Sequence, residues 1–313
     1  MSERSALVLW GANNIFSVRS EGELFEARLK GKKLDIDRDH YNPLAPGDRV
    51  AIETGGGQAL ITRRLDRRNE FGRWNKKRQA MQTIGANIDE ICVLASPVSP
   101  PFRPRFIDRA LALGEYNGIP MRIVLNKIDQ GLDAQMERRI EYYSEIGYEV
   151  SGISVLEDRG VGELLETWRG RTTMLLGQSG VGKSSLVKML FPDENIKVAS
   201  VSEKFNRGRH TTVLARSYEL GERGLVIDTP GIRELDLYGL PPEQLGFLFV
   251  EFPPVAEHCA LPNCRHVHEP DCAVKDAVAE GEILEDRYDS YINTLLVMEE
   301  SARQMKDWKF RKL

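Results

Sequence analysis

No stretch of this sequence is apolar for long enough to cross a bilayer, which removes a membrane span as an organising feature. Met1 to Leu9 carries Glu3 and Arg4 ahead of a short strand-like run and is not expected to act as a signal peptide. An excess of positive charge is also missing. The 43 Lys and Arg are outnumbered by 47 Asp and Glu, for a formal net charge of -4, so any contact with a polyanion has to come from local patches. Cysteine is scarce: of four, Cys92 sits alone in an apolar strand pattern and three fall late in the chain near histidines. That distribution argues for a metal site in a reducing compartment over a disulfide framework. A cytoplasmic protein without a membrane partner is the expectation. At 313 residues and 41% hydrophobic, the chain has room for two or three domains with sizeable cores.

What is present is organised around Gly177-Gln178-Ser179-Gly180-Val181-Gly182-Lys183-Ser184, which fits G-x-x-x-x-G-K-[ST]. An apolar run, Thr173 to Leu176, precedes it, and a helical pattern from Ser185 to Leu190 follows. Glycines let the backbone curl so that successive N–H groups point at phosphate oxygens, and the new helix adds the positive end of its dipole. Lys183 is placed to reach the β- and γ-phosphates, and the Ser184 hydroxyl to take a position on Mg²⁺, with Ser185 next at the helix head. A nucleoside triphosphate is the ligand this loop predicts.

Residues 7 to about 65 read as short strands broken by turns: Val8 and Trp10, Ile15 to Val18, Leu24 to Ala27, Val50 to Ile52 and Ala59 to Thr62. About five strands in so short a segment is the size of an OB-fold barrel, a fold that often holds oligonucleotides. The next stretch crowds Arg63, Arg64, Arg67, Arg68, Arg73, Lys76, Lys77 and Arg78 around Phe71 and Trp74, against only Asp66 and Glu70. Cations neutralise phosphates and aromatic faces stack on unpaired bases, so this stretch is expected as a basic linker that touches nucleic acid.

From Asn87 the pattern becomes α/β. Apolar strands at Glu90 to Ala95 and Met121 to Leu125 alternate with helical patterns at Arg105 to Tyr116 and Asp133 to Ile146, the signature of a parallel sheet covered on both faces. Asn126-Lys127-Ile128-Asp129 follows the second strand, where ligands bind in such sheets. A carboxylate such as Asp129 accepts hydrogen bonds from the ring N–H and exocyclic amine of guanine, and adenine would leave it unpaired. Asn126 and the Lys127 stem would brace the loop and the base. Ser154 falls where a second base-contacting loop is expected. Asp228-Thr229-Pro230-Gly231 follows the strand Leu225 to Ile227; there Asp228 can hold Mg²⁺ through water and the Gly231 N–H can sense the γ-phosphate. Between these two loops, Arg207 to Thr212 reads as a switch in which Thr211 or Thr212 should meet the Mg²⁺. A glutamine that would position attacking water just after D-x-x-G is missing; Ile232 stands there, and His210 is the nearest titratable candidate for that work.

Cys259, Cys264, His266 and Cys272 give C-x4-C-x-H-x5-C, a closed donor set of the kind that holds structural zinc, with His258 and His268 as competing ligands on spacing alone. Leu284, Tyr288, Tyr291, Leu295 and Met298 then repeat at helical spacing, predicting an amphipathic helix over Glu282 to Ala302. The tail sets Arg303, Lys306, Lys309, Arg311 and Lys312 around Trp308 and Phe310, and is expected to make a second RNA contact.

The guanine loop precedes the phosphate loop, the reverse of ordinary small GTPases, so the chain reads as circularly permuted. The expected α/β architecture is an OB-fold barrel over residues 1–68, the basic linker over 69–86, a permuted P-loop GTPase domain over 87–245 and a zinc-binding helical domain over 246–313. Barrel, permuted motifs and late Cys/His cluster together resemble the small-ribosomal-subunit-dependent GTPase family RsgA, also called YjeQ or YloQ, across nearly the whole chain. The resemblance implies a GTPase of late small-subunit maturation that is stimulated by the subunit. It favours His266 as the fourth zinc ligand and points to His210 for the catalytic step. Val213 departs from the family, in which a threonine is usual at that place. The expected partners are GTP and GDP and the small subunit with its rRNA, not DNA, and a monomer is expected. The rivals weighed are a large-subunit assembly GTPase, opposed by the barrel and cysteine cluster, and an RNA-binding scaffold with GTP as a static ligand.

Overall fold

A computed structural model describes residues 3–12, 14–31, 41–55, 58–75, 80–192, 215–221, 224–229, 235, 237 and 240–310, with side-chain surroundings as far as residue 303. Five strands open the chain: β1 (Glu3–Ala12), β2 (Ile15–Ser20), β3 (Glu23–Leu29), β4 (Arg49–Gly55) and β5 (Gln58–Arg64). They close into a barrel in the order β1-β2-β3-β5-β4. Closure follows from alternation, since every second side chain of β2 is buried and the interior fills with Val8, Phe16, Val18, Val50, Ile52 and Ile61.

The segment expected as a basic linker is instead an antiparallel hairpin, β6 (Glu70–Asn75) with β7 (Ala80–Ala86). Part of its charge run also meets partners that the fold supplies. The Arg67 guanidinium forms a two-pronged pair with the fully buried Asp48, both bonds at 2.7 Å, and Phe71 is fully buried. Arg68 pairs with Asp89 at 2.6 Å, and Arg73 donates to Gln82 at 3.3 Å. A count of cations along the chain exaggerates the surface charge because folding supplies these partners. Arg63 stays exposed, whereas Lys76, Lys77 and Arg78 lie outside the described residues.

A six-stranded sheet follows, ordered β10-β9-β8-β11-β13-β12 and parallel except at its β12 edge. Its strands are β8 (Glu90–Ala95), β9 (Met121–Asn126), β10 (Glu149–Ile153), β11 (Arg171–Gly177), β12 (Arg216–Glu219) and β13 (Gly224–Asp228). The helices between them are α1 (Pro104–Asn117), α2 (Ala134–Glu145), α3 (Val161–Thr167) and α4 (Lys183–Leu190). Strands β8 and β9 are buried at every residue, as a sheet covered on both faces requires. Alternate residues feed two cores. Val93, Ile123 and Leu176 join α1 and α2, and Leu94, Val124 and Leu175 join α3 and α4.

The C-terminal segment holds α5 (Phe252–Ala256), α6 (Ala273–Glu280) and α7 (Glu285–Phe310). Helix α7 begins slightly later than the pattern predicts and places Glu285 and Asp286 in its first turn, where the helix dipole favours acidic groups. Phe249, Phe252, Tyr291 and Leu295 belong to the same core as α1 and the sheet. The expected boundary at 245/246 falls within a 3₁₀ segment, Pro242–Leu248, across which that core is continuous. Asp108 of α1 ties the two parts together. It accepts from Arg139 of α2 at 2.7 Å, Tyr143 at 2.6 Å and Arg287 of α7 at 2.8 Å, and Arg287 also grips Glu251 at 2.7 Å. Removing one member strands its partners as buried charges. Arg287→Ala is therefore expected to lower stability by about 3–5 kcal/mol, read from urea unfolding, whereas a purely peripheral pair would lose under ~1 kcal/mol. Among the described residues no helix is long and apolar enough to cross a membrane.

Candidate nucleotide site and metal centre

The loop between β11 and α4 lies at the carboxyl edge of the sheet. Gly182 takes a φ of 101°, and a Cβ there would sit 2.1 Å from the Asn126 amide nitrogen, so only glycine allows the two loops this approach. Helix α4 starts with no side-chain cap, leaving its first N–H groups directed at the loop. Lys183 is 5% exposed and donates to the carbonyls of Gly177 at 2.5 Å and Gln178 at 3.0 Å. Burial lowers its ammonium to about 8, opposed by Asp228. Burial likewise raises the Asp228 carboxyl to about 6, opposed by Lys183. Among the described residues the buried Asp228 Oδ1 atom has no hydrogen-bond partner. An orphaned carboxylate oxygen at the end of β13, with the exposed Ser184 hydroxyl heading α4, is a donor set that fits a hard divalent cation such as Mg²⁺.

Asn126 locks the guanine loop to the phosphate loop. Its amide donates to the Val181 carbonyl at 2.9 Å, while its oxygen accepts from Lys127 N at 2.8 Å and Val155 N at 3.2 Å. The Lys127 ammonium reaches the carbonyls of Gly180 at 2.9 Å and Ser99 at 2.5 Å, from a residue held at a φ of 67°. Ser154 is fully buried and donates to Asp129 Oδ1 at 2.5 Å. Its geometry thus fixes the carboxylate, with a second acceptor oxygen remaining on Asp129. Thr229, singled out in the sequence only as part of D-x-x-G, is buried and donates to the Leu175 carbonyl at 2.6 Å, tying the residue after Asp228 to β11. His210, Thr211, Thr212 and Gly231 lie outside the described residues.

The second cluster is built at the head of α6. Cys259, Cys264, His266 and Cys272 place four donor atoms within 4.8 Å of one another, and His258 and His268 are exposed and not part of it. The His266 Nδ1 atom is 3.7 Å from Cys259 Sγ and 3.4 Å from Cys272 Sγ. A tetrahedral zinc with its usual bond lengths requires sulfur and nitrogen about 3.5 Å apart, so the donors fit zinc. Surroundings hold the loop from outside: Tyr288 and Tyr291 donate to the carbonyls of His266 and Arg265 at 2.6 and 2.7 Å. Glu269 collects the N–H groups of Arg265 and Val267 at 2.9 Å and of His268 at 3.0 Å. Neither tyrosine nor Glu269 carries a motif that marks this role in the sequence.

A phosphate loop bonded to an N-K-x-D loop that precedes it in the chain, on a parallel sheet, defines a circularly permuted P-loop GTPase. The comparisons place it further. Residues 64–238 match the RsgA GTPase family, and the chain belongs to that family. A protein from Borreliella afzelii named small ribosomal subunit biogenesis GTPase RsgA is 40% identical over 291 residues, covering 92% of this chain and 94% of its own length. A namesake from Chlorobaculum parvum is 39% identical over 275 residues, covering 84% and 88%. The crystal structure of YjeQ from Thermotoga maritima superposes with a TM-score of 0.73 at 29% identity, over 95% of this chain and 99% of that one. YloQ, described as a circularly permuted GTPase, gives a TM-score of 0.71 at 26% identity, over 96% of each chain.

Proposed function

We propose that this chain hydrolyses GTP as a timing switch in late maturation of the small ribosomal subunit, working in the cytoplasm as a monomer on rRNA. The observation that supports the GTP reading is the bonding of Asn126 and Lys127 to Val181 and Gly180, which joins the N-K-x-D loop to the phosphate loop. The partner is that named for its relatives, small ribosomal subunit biogenesis GTPases.

Asp129, held by Ser154, reads the purine edge. The backbone from Gly177 to Gly182 and the start of α4 cradle the phosphates, and Lys183 exchanges its two carbonyl partners for phosphate oxygens. Ser184 and Asp228 would hold Mg²⁺, with Thr211 or Thr212 completing the set and Gly231 sensing the γ-phosphate. The metal would supply neutralisation of phosphate charge. Ile232 cannot orient water, so His210 takes that role, with the bound subunit raising its effectiveness. The cysteine cluster takes one structural zinc, a closed set that leaves no open position for catalysis.

Phosphate release measured with and without small subunits tests the reading. Strong stimulation is expected; release that stays at the basal rate would leave only a nucleotide-binding scaffold. In the same assay His210→Ala should keep GTP affinity and lose about 10²-fold of stimulated turnover. Full stimulated turnover would remove His210 from the mechanism.

A further inference from the structure

Strand β1 buries two consecutive apolar residues, Val8 and Leu9, where a two-residue period buries one. The register against β2 shifts between Val8 and Trp10, a bulge that re-aims Leu9. Val8 remains in the barrel interior with Val18 and Ile52, whereas Leu9 enters the core that holds Ala215 and Ile227. The Leu9 carbonyl accepts the Ser217 hydroxyl at 2.9 Å in a buried contact. Beside it the Arg216 guanidinium lies 5.3 Å from the centre of the Trp10 ring, and Arg19 of β2 pairs with Glu219. From the other side Gly47 packs so closely that a Cβ would lie 2.1 Å from the Ala86 carbonyl and 3.4 Å from Ile227 Cδ1.

The strands gripped in this way lie between the two switch segments in the chain. Strand β12 follows shortly after His210, Thr211 and Thr212 in the chain, and β13 ends at Asp228. They pair directly, Arg216 opposite Asp228 and Ser217 opposite Ile227. A contact that served only to hold two domains together could sit on any face of the sheet. This one falls on the two strands that lie next to the switch residues in the chain, one of them ending at Asp228.

We propose that Leu9, Trp10 and Ser217 are positioning residues through which an RNA ligand on the barrel sets β12 against Asp228, so that the barrel governs hydrolysis as well as anchoring the protein. The RNA ligand rests on the function proposed above; the mechanical coupling does not. Coupling is reciprocal, so the nucleotide must also act on the barrel.

The test uses the full-length chain and the mild pair Ser217→Ala with Trp10→Leu, which keeps Leu9 and the buried apolar residues of both cores and changes, besides Ser217, only the partly buried Trp10 beside them. Amide hydrogen exchange is compared between GDP and a non-hydrolysable GTP analogue. The unaltered protein should show different protection of β1 and β2 in the two states, and the variant should lose that difference while keeping its affinity for the analogue. Identical protection in both states of the unaltered protein overturns the proposal. A second arm reads subunit-stimulated phosphate release, which should fall about fivefold or more in the variant with basal release and subunit binding retained; undiminished stimulation also overturns it. Should subunits stimulate neither protein, the assignment of the partner fails, and the exchange arm still decides the coupling.

Discussion

Asp129→Asn is expected to weaken GTP binding by about 10³-fold and to give xanthosine triphosphate the advantage. The guanine edge presents two donors, the ring N–H and the exocyclic amine, and a carboxylate accepts both. Asparagine replaces one acceptor with an N–H₂ that faces the guanine amine donor to donor. Xanthine carries a carbonyl in place of that amine, which the new amide can satisfy. Sites that enclose such a pair completely discriminate by about 10⁴–10⁵. The smaller figure applies because Asp129 is only half-buried. Ser154 already fills one lone pair of Oδ1 at 2.5 Å and keeps either side chain oriented, so the change isolates the base contact from the loop conformation. Competition against labelled GDP by GTP, xanthosine triphosphate and ATP reads the result. A variant that still prefers GTP would detach Asp129 from base recognition.

Loss of the metal should have the second large effect. Structural zinc contributes on the order of 10–16 kcal/mol to ordering a peptide of this kind at neutral pH. Cys272 is 1% exposed and stands at the N-cap of α6, and His266 packs edge-on against Phe252 with ring centres 5.8 Å apart. Without the proposed zinc, three thiols and an imidazole would be left together beside this aromatic cluster. Elemental analysis is expected to give one zinc per chain, and Cys272→Ser or a strong chelator should remove it and lower the thermal midpoint by well over ~10 °C. GTP affinity should change far less, since the nucleotide loops lie on other elements. A metal-free protein with the same midpoint in chelator would show that the cluster is only a group of neighbouring thiols.

Much of the site was legible because each motif is short and its chemistry demands particular atoms at fixed spacing. The phosphate loop, the N-K-x-D loop and the three cysteines of the cluster needed only local order in the sequence. Strands β8 and β9 were equally plain, because burial on both faces leaves an unbroken apolar run. What local order could not show were partners brought together by the fold. Arg67 belongs by composition to a run expected to touch nucleic acid, and only the fold supplies Asp48 to absorb its charge. Ser154 was placed near the base by position, but its bond to Asp129 depends on β10 lying beside β9. Strand β12 is four residues long with no clear alternation, and its meaning comes from what docks on it. Spacing alone does not exclude His268; the fold buries His266 within the cluster and leaves His268 exposed.

The Asp108 junction bears on how such a chain can be rearranged over evolutionary time. Its four charged members come from α1, α2, the approach to α5 and α7, so inheritance of the nucleotide sheet without the C-terminal helices would leave ions with no counterpart in a dry interior. The barrel could be exchanged among relatives as a cassette, provided the acceptor keeps an edge strand to receive it. Sheet and tail have to be passed on as one unit.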